Sequence, residues 1–289
     1  MGGGEPVSVP SIAYQGEPGA FSHEACRTWF PSHRPEACPT FEDAFDAVQS
    51  GRCALGMIPV ENSVAGRVSD VHHLLPKSGL KIVGEHFLPI RMQLMANPGV
   101  KLEDVRVAAS HPMALLQCRL TLRKLGLRAE VVADTAGAAR DLAEKPDGAR
   151  AAIASAIAAE LYGLKILKKD IEDAHGNTTR FLVLTAEPEP RSPPPGTPCM
   201  TSFVFRVKNQ PAALYKALGG FATGGVNMTK LESYTEDGGF ASTVFYCEVE
   251  GRPDDPAAAR AFDEVRFFST RFEILGVYPS DPARRGEAR

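Results

Sequence analysis

Residues 162–184 read YGLKILKKDIEDAHGNTTRFLVL. Two apolar runs, 164–167 and 181–184, flank a polar stretch that carries Asp170, Glu172, Asp173, His175 and Asn177. Apolar runs of this length, bounded by turn residues, read as strands. Gly163 closes the helix before them, because glycine accepts the left-handed conformation that ends a helix. The stretch is therefore helix end, strand, polar loop, strand. Thr178, Thr179 and Arg180 sit at the mouth of the second strand. Two hydroxyls and a guanidinium with five donors meet solvent there.

The same rhythm runs upstream. SIAY (11–14) precedes a helical stretch with Phe21, Ala25 and Trp29 on one face. ALGMIPV (54–60) leads into ENSVAGRVSDVHHLL, and VRVAAS (105–110) into HPMALLQCRLTLRKLG, read as one helix over 112–124. AEVVAD (129–134) leads into TAGAARDLAEK, and ARAAIAS (149–155) into AIAAELYG. Strand-then-helix alternation predicts an α/β fold. The strands end in Gly16, Glu61, Asn62, Ser63, Ser110, Thr135 and Ser155. Each serine or threonine is also a good helix cap. Taken together, they predict a cleft for an anionic, hydroxylated small molecule, since ligands of open α/β sheets gather at strand C-termini and helix N-termini. No phosphate-loop or dinucleotide glycine pattern is present.

Downstream, AEPEPRSPPPGTP (186–198) holds six prolines in thirteen residues and cannot be helix or inner strand. It predicts a linker over 188–198. Beyond it, TSFVFRV alternates, a helix follows Pro211, and VNMTKLESY and FASTVFYCEVE pair across the turn TEDGG (235–239). A second helix and the strand FEILGVY complete a βαββαβ order, the ferredoxin-like sandwich. Nothing in it has catalytic spacing, which points to a regulatory or interaction unit.

The 289 residues are 44% hydrophobic and carry a net charge of -3. That balance excludes the basic face of a nucleic-acid binder. No apolar run approaches the ~18 residues of a membrane span, and MGGGEPVSVP lacks the layout of a signal peptide. Six scattered cysteines without a C-x-x-C pair read as reduced core thiols, so a cytoplasmic protein is expected. His72 and His73 are adjacent and make a poor metal pair; no metal or other cofactor is expected.

Tyr162, Leu164, Leu167, Asp173, Thr179, Arg180, Phe181, Leu182 and Leu184 fill, in register, the signature of a known family, and the chain resembles the prephenate dehydratases. YQGEPGAFSHEA, PVENSVAG, SHPMALLQC, DTAGAA and AAIASAIAAELYGL extend the resemblance over nearly the whole chain. It implies a catalytic domain over 8–187 with two lobes, similar to type 2 periplasmic binding proteins. Lobe 1 would be about 8–85 and 165–187, and lobe 2 about 86–164. It also implies a C-terminal ACT regulatory domain over 199–279, with GVNMTKLESY at its usual place.

The reaction so implied removes water and carbon dioxide from prephenate to give phenylpyruvate, in L-phenylalanine biosynthesis. The resemblance makes Thr179 the donor to the departing hydroxyl, with Glu61 and Asn62 as further catalytic cleft residues: Asn62 would donate to substrate, and Glu61 would either relay a proton or order the loop. What polarises the Thr179 hydroxyl is left open. Arg180 either clamps a carboxylate or pairs with Asp173 or Glu172. Ser63, Ser110, Gln117, Thr135 and Ser155 are candidate substrate contacts, and Phe181 either lines the site or packs in the core. His111 and His175 read as structural and solvated, with His175 the alternative acid. The regulatory domain would bind L-phenylalanine at Ala212, Ala213, Leu214, Asn227, Glu232 and Ser233, and join a homodimer or homotetramer. Here Ala212 replaces the family's glycine, and Tyr234-Thr235 its Arg-Pro. With the first strand near residue 11, no chorismate mutase region precedes it, so a monofunctional enzyme is expected. Arogenate dehydratase and a non-catalytic amino-acid sensor are the alternatives.

Overall fold

A computed structural model of the chain describes residues 9–174, 176–235 and 243–286. By contact density the chain divides into two units: Met1–Leu74 with His86–Leu182, and Leu75–Glu85 with Val183–Arg289.

The elements run β1 (Ser11–Gln15), α1 (Phe21–Trp29), β2 (Arg34–Cys38), α2 (Phe41–Gln49), β3 (Leu55–Asn62), β4 (Gly66–Arg67), α3 (Ser69–Leu74), β5 (Lys81–Pro89) and β6 (Gln93–Ala96). They continue with β7 (Val107–Ser110), α4 (Pro112–Gln117), α5 (Arg119–Lys124), β8 (Arg128–Val131), α6 (Thr135–Glu144), β9 (Arg150–Ala154), α7 (Ala156–Tyr162), β10 (Lys165–Lys168) and β11 (Thr178–Thr185). One sheet has the order β2-β1-β3-β11-β5, with β4 on β3; a second has β10-β6-β9-β7-β8. β1 is parallel to β2 and β3, and β7 is parallel to β8 and β9. The mixed α/β architecture expected from the alternation is present.

The second sheet's core is built of small side chains. Ala109, Ala138, Ala139, Ala152, Ala154, Ala158 and Ala159 pack with Met95, Leu142 and Leu164. Alanines let helices α6 and α7 lie close on the strands. The turn after β1 meets α7 by the same device. Ser155 Oγ donates to Gly19 O at 2.5 Å, and Tyr162 OH to Pro18 O at 2.7 Å. Gly19 has φ +94, and a Cβ there would lie 3.0 Å from both Ala158 Cα and Cβ. Conformation and space both require glycine.

Two expectations are corrected. β10 pairs antiparallel with β6, so 165–168 belongs to the second sheet and the chain returns to the first only after Lys168. The lobe boundary at 165 therefore moves to the loop 169–177, and that at 86 moves beyond Pro89. The single helix expected over 112–124 is broken at Cys118, whose φ of -109 and ψ of 8 leave the helical range. The Asp173 carboxylate accepts from Leu120 N at 2.6 Å and Thr121 N at 2.9 Å, which caps α5 as a separate helix. Burial, with the Asp173 and Glu172 charges, pushes the Cys118 thiol up to about 12, so it stays protonated.

The C-terminal unit carries β12 (Cys199–Val207), α8 (Ala213–Gly224), β13 (Met228–Thr235), β14 (Thr243–Glu250), α9 (Pro256–Phe268) and β15 (Ser269–Pro279). Its antiparallel sheet has the order β13-β14-β12-β15, with a βαββαβ chain order. Phe203, Phe205, Phe221, Phe245 and Phe262 fill the core beneath α8 and α9. The turn expected after Thr235 lies outside the described residues. Residues 186–198 form neither helix nor strand, and Arg252 Nη1 donates to Pro193 O at 2.6 Å. The segment Leu75–Glu85 joins this unit through an ion pair. Arg284 reaches Glu85 at 2.6 Å and Glu248 at 3.0 Å, and both carboxylates are buried. Gly276 makes room for it: a Cβ there would lie 2.1 Å from Ile82 O.

Candidate active site

β3 and β11 are neighbours in the first sheet, so the end of β3 lies beside the start of β11. Asn62 ends β3 and is fixed by its own turn. Its Oδ1 accepts from Val64 N at 2.9 Å and Ala65 N at 2.8 Å. Backbone amides can only donate, so the oxygen must face them and Nδ2 must face the opposite way. Asn62 Nδ2 then donates to Asn177 Oδ1 at 2.8 Å and Thr179 Oγ1 at 2.9 Å, with Thr178 O farther at 3.3 Å. Asn177 in turn donates through Nδ2 to Gln117 Oε1 at 2.9 Å.

Hydrogen-bond polarity is thus set along the whole chain of groups. Thr179 Oγ1 accepts from Asn62, and its own hydrogen meets no acceptor among the described residues. Gln117 Oε1 is used by Asn177, and Nε2 has no partner among the described residues. Two donors are left presented, one hydroxyl and one amide. A hydroxyl that already accepts a hydrogen bond donates better, because bonds in a chain polarise one another.

The strand pleat sorts the remaining candidates, because successive side chains point to opposite faces. Asn177 and Thr179 share a face, while Arg180 lies on the other. Arg180 is 4% exposed, and its guanidinium stands 6.0 Å above the Phe87 ring. Arg180 and Thr179 therefore leave β11 on opposite faces. Phe181 is 1% exposed and belongs to the core rather than the site. Glu61 faces away from Asn62 by the same alternation and sits across from Arg67 in register.

Ser63 is adjacent but engaged by the loop. Its Oγ donates to Gly176 O at 2.9 Å and accepts from Thr178 N at 3.0 Å. Ser110 and Ser155 are corrected too, since both are wholly buried. Ser110 Oγ donates to Ile153 O at 2.7 Å, and Ser155 caps α7 while bonding Gly19 O. Thr135 opens α6 behind its cap Asp134 and lies outside the cluster. His111 accepts from Met113 N and caps α4. His175 lies outside the described residues. Asn177 was missed as a site residue; its i, i+2 relation to Thr179 was the available signal.

A pocket of 230 Å³ opens beside this cluster, lined by Val64, Met113, Leu116, Gln117, Glu172, Asp173, Ala174 and Asn177. Both of its carboxylates are occupied. Asp173 caps α5, and Glu172 binds Arg91 Nη1 and Met92 N, each at 2.9 Å. No helix of the described residues is long and apolar enough to cross a membrane.

The family profile of prephenate dehydratase matches residues 12–189, which contain the whole cluster. The chain belongs to the prephenate dehydratase family. As a member of this family it is an enzyme of the lyase class. It is 52% identical over 274 residues to a Komagataeibacter europaeus protein named bifunctional N-acyl-homoserine lactone acylase/prephenate dehydratase, covering 95% of this chain and 97% of that one. It is 41% identical to an Arabidopsis thaliana chloroplastic arogenate dehydratase/prephenate dehydratase, over 93% of this chain and 73% of the relative. The Arthrobacter aurescens prephenate dehydratase, solved with L-Phe, superposes with a TM-score of 0.85 at 27% identity, covering 93% and 90% of the two chains.

In the C-terminal unit of this prephenate dehydratase family member, Ala212, Ala213 and Leu214 line a 480 Å³ pocket with Arg206, Lys208, Tyr215 and Phe245. Ala212 has φ +61. Asn227, Glu232 and Ser233 do not line that pocket. Asn227 O accepts from Glu250 N, and Glu232 and Ser233 lie on β13, one of the two edge strands of the sheet.

Proposed function

We propose that the chain converts prephenate to phenylpyruvate. The observation that carries this reading is the Thr179 hydroxyl, held as an acceptor by Asn62 with its hydrogen still available. As the ring C–O bond breaks, Thr179 donates to the departing hydroxyl. The ring carboxylate leaves as carbon dioxide, and its electron pair completes the aromatic ring. One proton, drawn from solvent, completes the water. Gln117 Nε2 donates to a substrate carboxylate. The donors act because they are placed where charge develops, as in other preorganised sites.

Prephenate is favoured over arogenate by a charge argument. Arogenate carries an ammonium where prephenate has a keto group. The groups of this cluster are neutral amides and a hydroxyl, and the neighbouring Asp173 and Glu172 are already bonded to the protein. The test is turnover of the two substrates side by side by purified enzyme. Preference for prephenate supports the reading, and activity on arogenate alone overturns it.

The C-terminal unit serves in this reading as an ACT-type regulatory domain over 199–279. It takes L-phenylalanine at the pocket of Ala212, Ala213 and Leu214, and joins a homodimer or homotetramer in the cytoplasm. The six cysteines, all free and buried, support a reducing location. Light scattering tests the assembly; a monomer at working concentration would remove it.

A second reading, hydrolysis of N-acylated lactones, is favoured by one observation. Val64, Met113 and Leu116 are large apolar side chains left exposed around the 230 Å³ pocket, which suits part of an acyl chain. Release of homoserine lactone from substrates of graded chain length tests it.

A further inference from the structure

Asn177 is 4% exposed and does not need to touch substrate to matter. It stands between two amides that require opposite things of it. Asn62 Nδ2 needs an acceptor and finds Asn177 Oδ1 at 2.8 Å. Gln117 then receives the other end of Asn177, an Nδ2 donor at 2.9 Å, which fixes Gln117 Oε1 inward and Nε2 outward. The direction originates in two backbone N–H groups, those of Val64 and Ala65, which cannot reverse. Asparagine supplies one acceptor and one donor at this length in a planar group that stays neutral across the working pH range, whereas a carboxylic acid of the same length does so only when protonated.

We propose that Asn177 is a positioning residue of the dehydration reaction. It transmits the orientation of Asn62 to Gln117, so that Gln117 presents a donor and not an acceptor to the anionic substrate. The inference rests on the prephenate reading above. It adds to the reaction a residue from the polar loop that joins the two sheets.

The test compares Asn177→Leu, Asn177→Asp, Gln117→Leu and the double variant Asn177→Leu/Gln117→Leu, reading kcat, KM and melting temperature for each. Asn177→Leu lets Gln117 turn freely, and KM for prephenate is expected to rise about tenfold or more, since loss of placement at a reacting site is costly. On the Gln117→Leu background the same change should raise KM by no more than about twofold, because coupled groups are not additive. Asn177→Asp keeps an acceptor for Asn62 but makes Gln117 present its oxygen, so KM rises at neutral pH. It should recover as the introduced carboxylate protonates, because the neutral carboxyl again donates to Gln117 Oε1. That acid recovery, absent in the wild type, is a signature a packing role would not give.

Variants that melt earlier but keep wild-type KM and kcat would overturn the inference. So would an Asn177→Leu effect of equal size on both backgrounds. If Asn177→Leu fails to fold, the pH dependence of Asn177→Asp decides alone. Absence of prephenate turnover in the wild type would overturn the prephenate reading and this inference together, whereas normal wild-type turnover with indifferent variants overturns only this one.

Discussion

Ala212 is a non-glycine residue in the left-handed region, at φ +61 and ψ 15, immediately before α8. That conformation costs an L-residue roughly 1–2 kcal/mol. Ala212→Gly removes this cost. Glycine also gains freedom in the unfolded chain, which offsets roughly 0.5–1 kcal/mol of the gain. Taken at their midpoints, the two terms leave a net stabilisation of about 0.75 kcal/mol. No neighbouring contact opposes the change, since the turn's bonds are made by backbone atoms: Lys216 N donates to Ala212 O at 2.9 Å and Ala213 N to Gln210 O at 3.2 Å. Urea unfolding should show a higher midpoint with an unchanged slope, the mark of stability gained without a change in the surface exposed. A thermal scan should move up by roughly 1–4 °C. The same residue lines the pocket proposed above for L-phenylalanine, so L-phenylalanine should protect the glycine variant more than the parent. An unchanged or lower midpoint would refute the strain argument, and equal protection would refute the placement of the effector.

Three further outcomes follow from individual bonds. Asn62→Asp keeps the acceptor for Val64 N and Ala65 N but cannot donate to Asn177 or Thr179. Its kcat should fall by about a hundredfold, the scale for losing a placed donor at a reacting centre, in steady-state assays. Asp173→Ala uncaps α5 and should lower unfolding free energy by about 0.5–2 kcal/mol in chemical denaturation. His23 accepts from Gly19 N at 3.0 Å through Nδ1, and burial, aided by Arg27, holds its pKa below the usual 6.5. The unfolded state therefore takes up this proton first, so His23's contribution is intact above pH 6.5 and lost as pH falls below it. A His23→Leu variant should show a flatter stability curve between about pH 7 and 5; an unchanged slope would remove His23 from the account.

The fold was legible where a periodicity had one cause. The alternation of apolar strands and helices predicted α/β architecture because strands and helices bury faces of different period. The lobe boundary was misread because LKIL carries the same apolar signal whichever sheet it joins. Only its pairing with β6 decides that, and pairing partners are not written in a strand's own residues. The helix over 112–124 looked continuous because its break depends on Asp173, which is distant in sequence. The candidate site was legible at Asn62, a small polar residue that ends β3, and at Thr179, where a polar loop enters β11; Gln117, at the end of α4, had no such local mark. Ser110 and Ser155 carried the same local signal and turned out to hold the scaffold, because hydroxyls cap and cross-link as readily as they bind. Arg180 was grouped with Thr179 by adjacency, when the pleat separates neighbours and joins Asn177 to Thr179 instead.

The most direct measurement is phenylpyruvate formation from prephenate by the wild type, Thr179→Ser and Thr179→Ala, with substrate affinity measured for each. The account predicts that serine retains much of kcat, because it keeps a hydroxyl for Asn62 to bond. Alanine should lose kcat by at least about a hundredfold while still binding substrate. A Thr179→Ala variant that turns prephenate over at the wild-type rate would contradict the central claim that this hydroxyl serves the departing group.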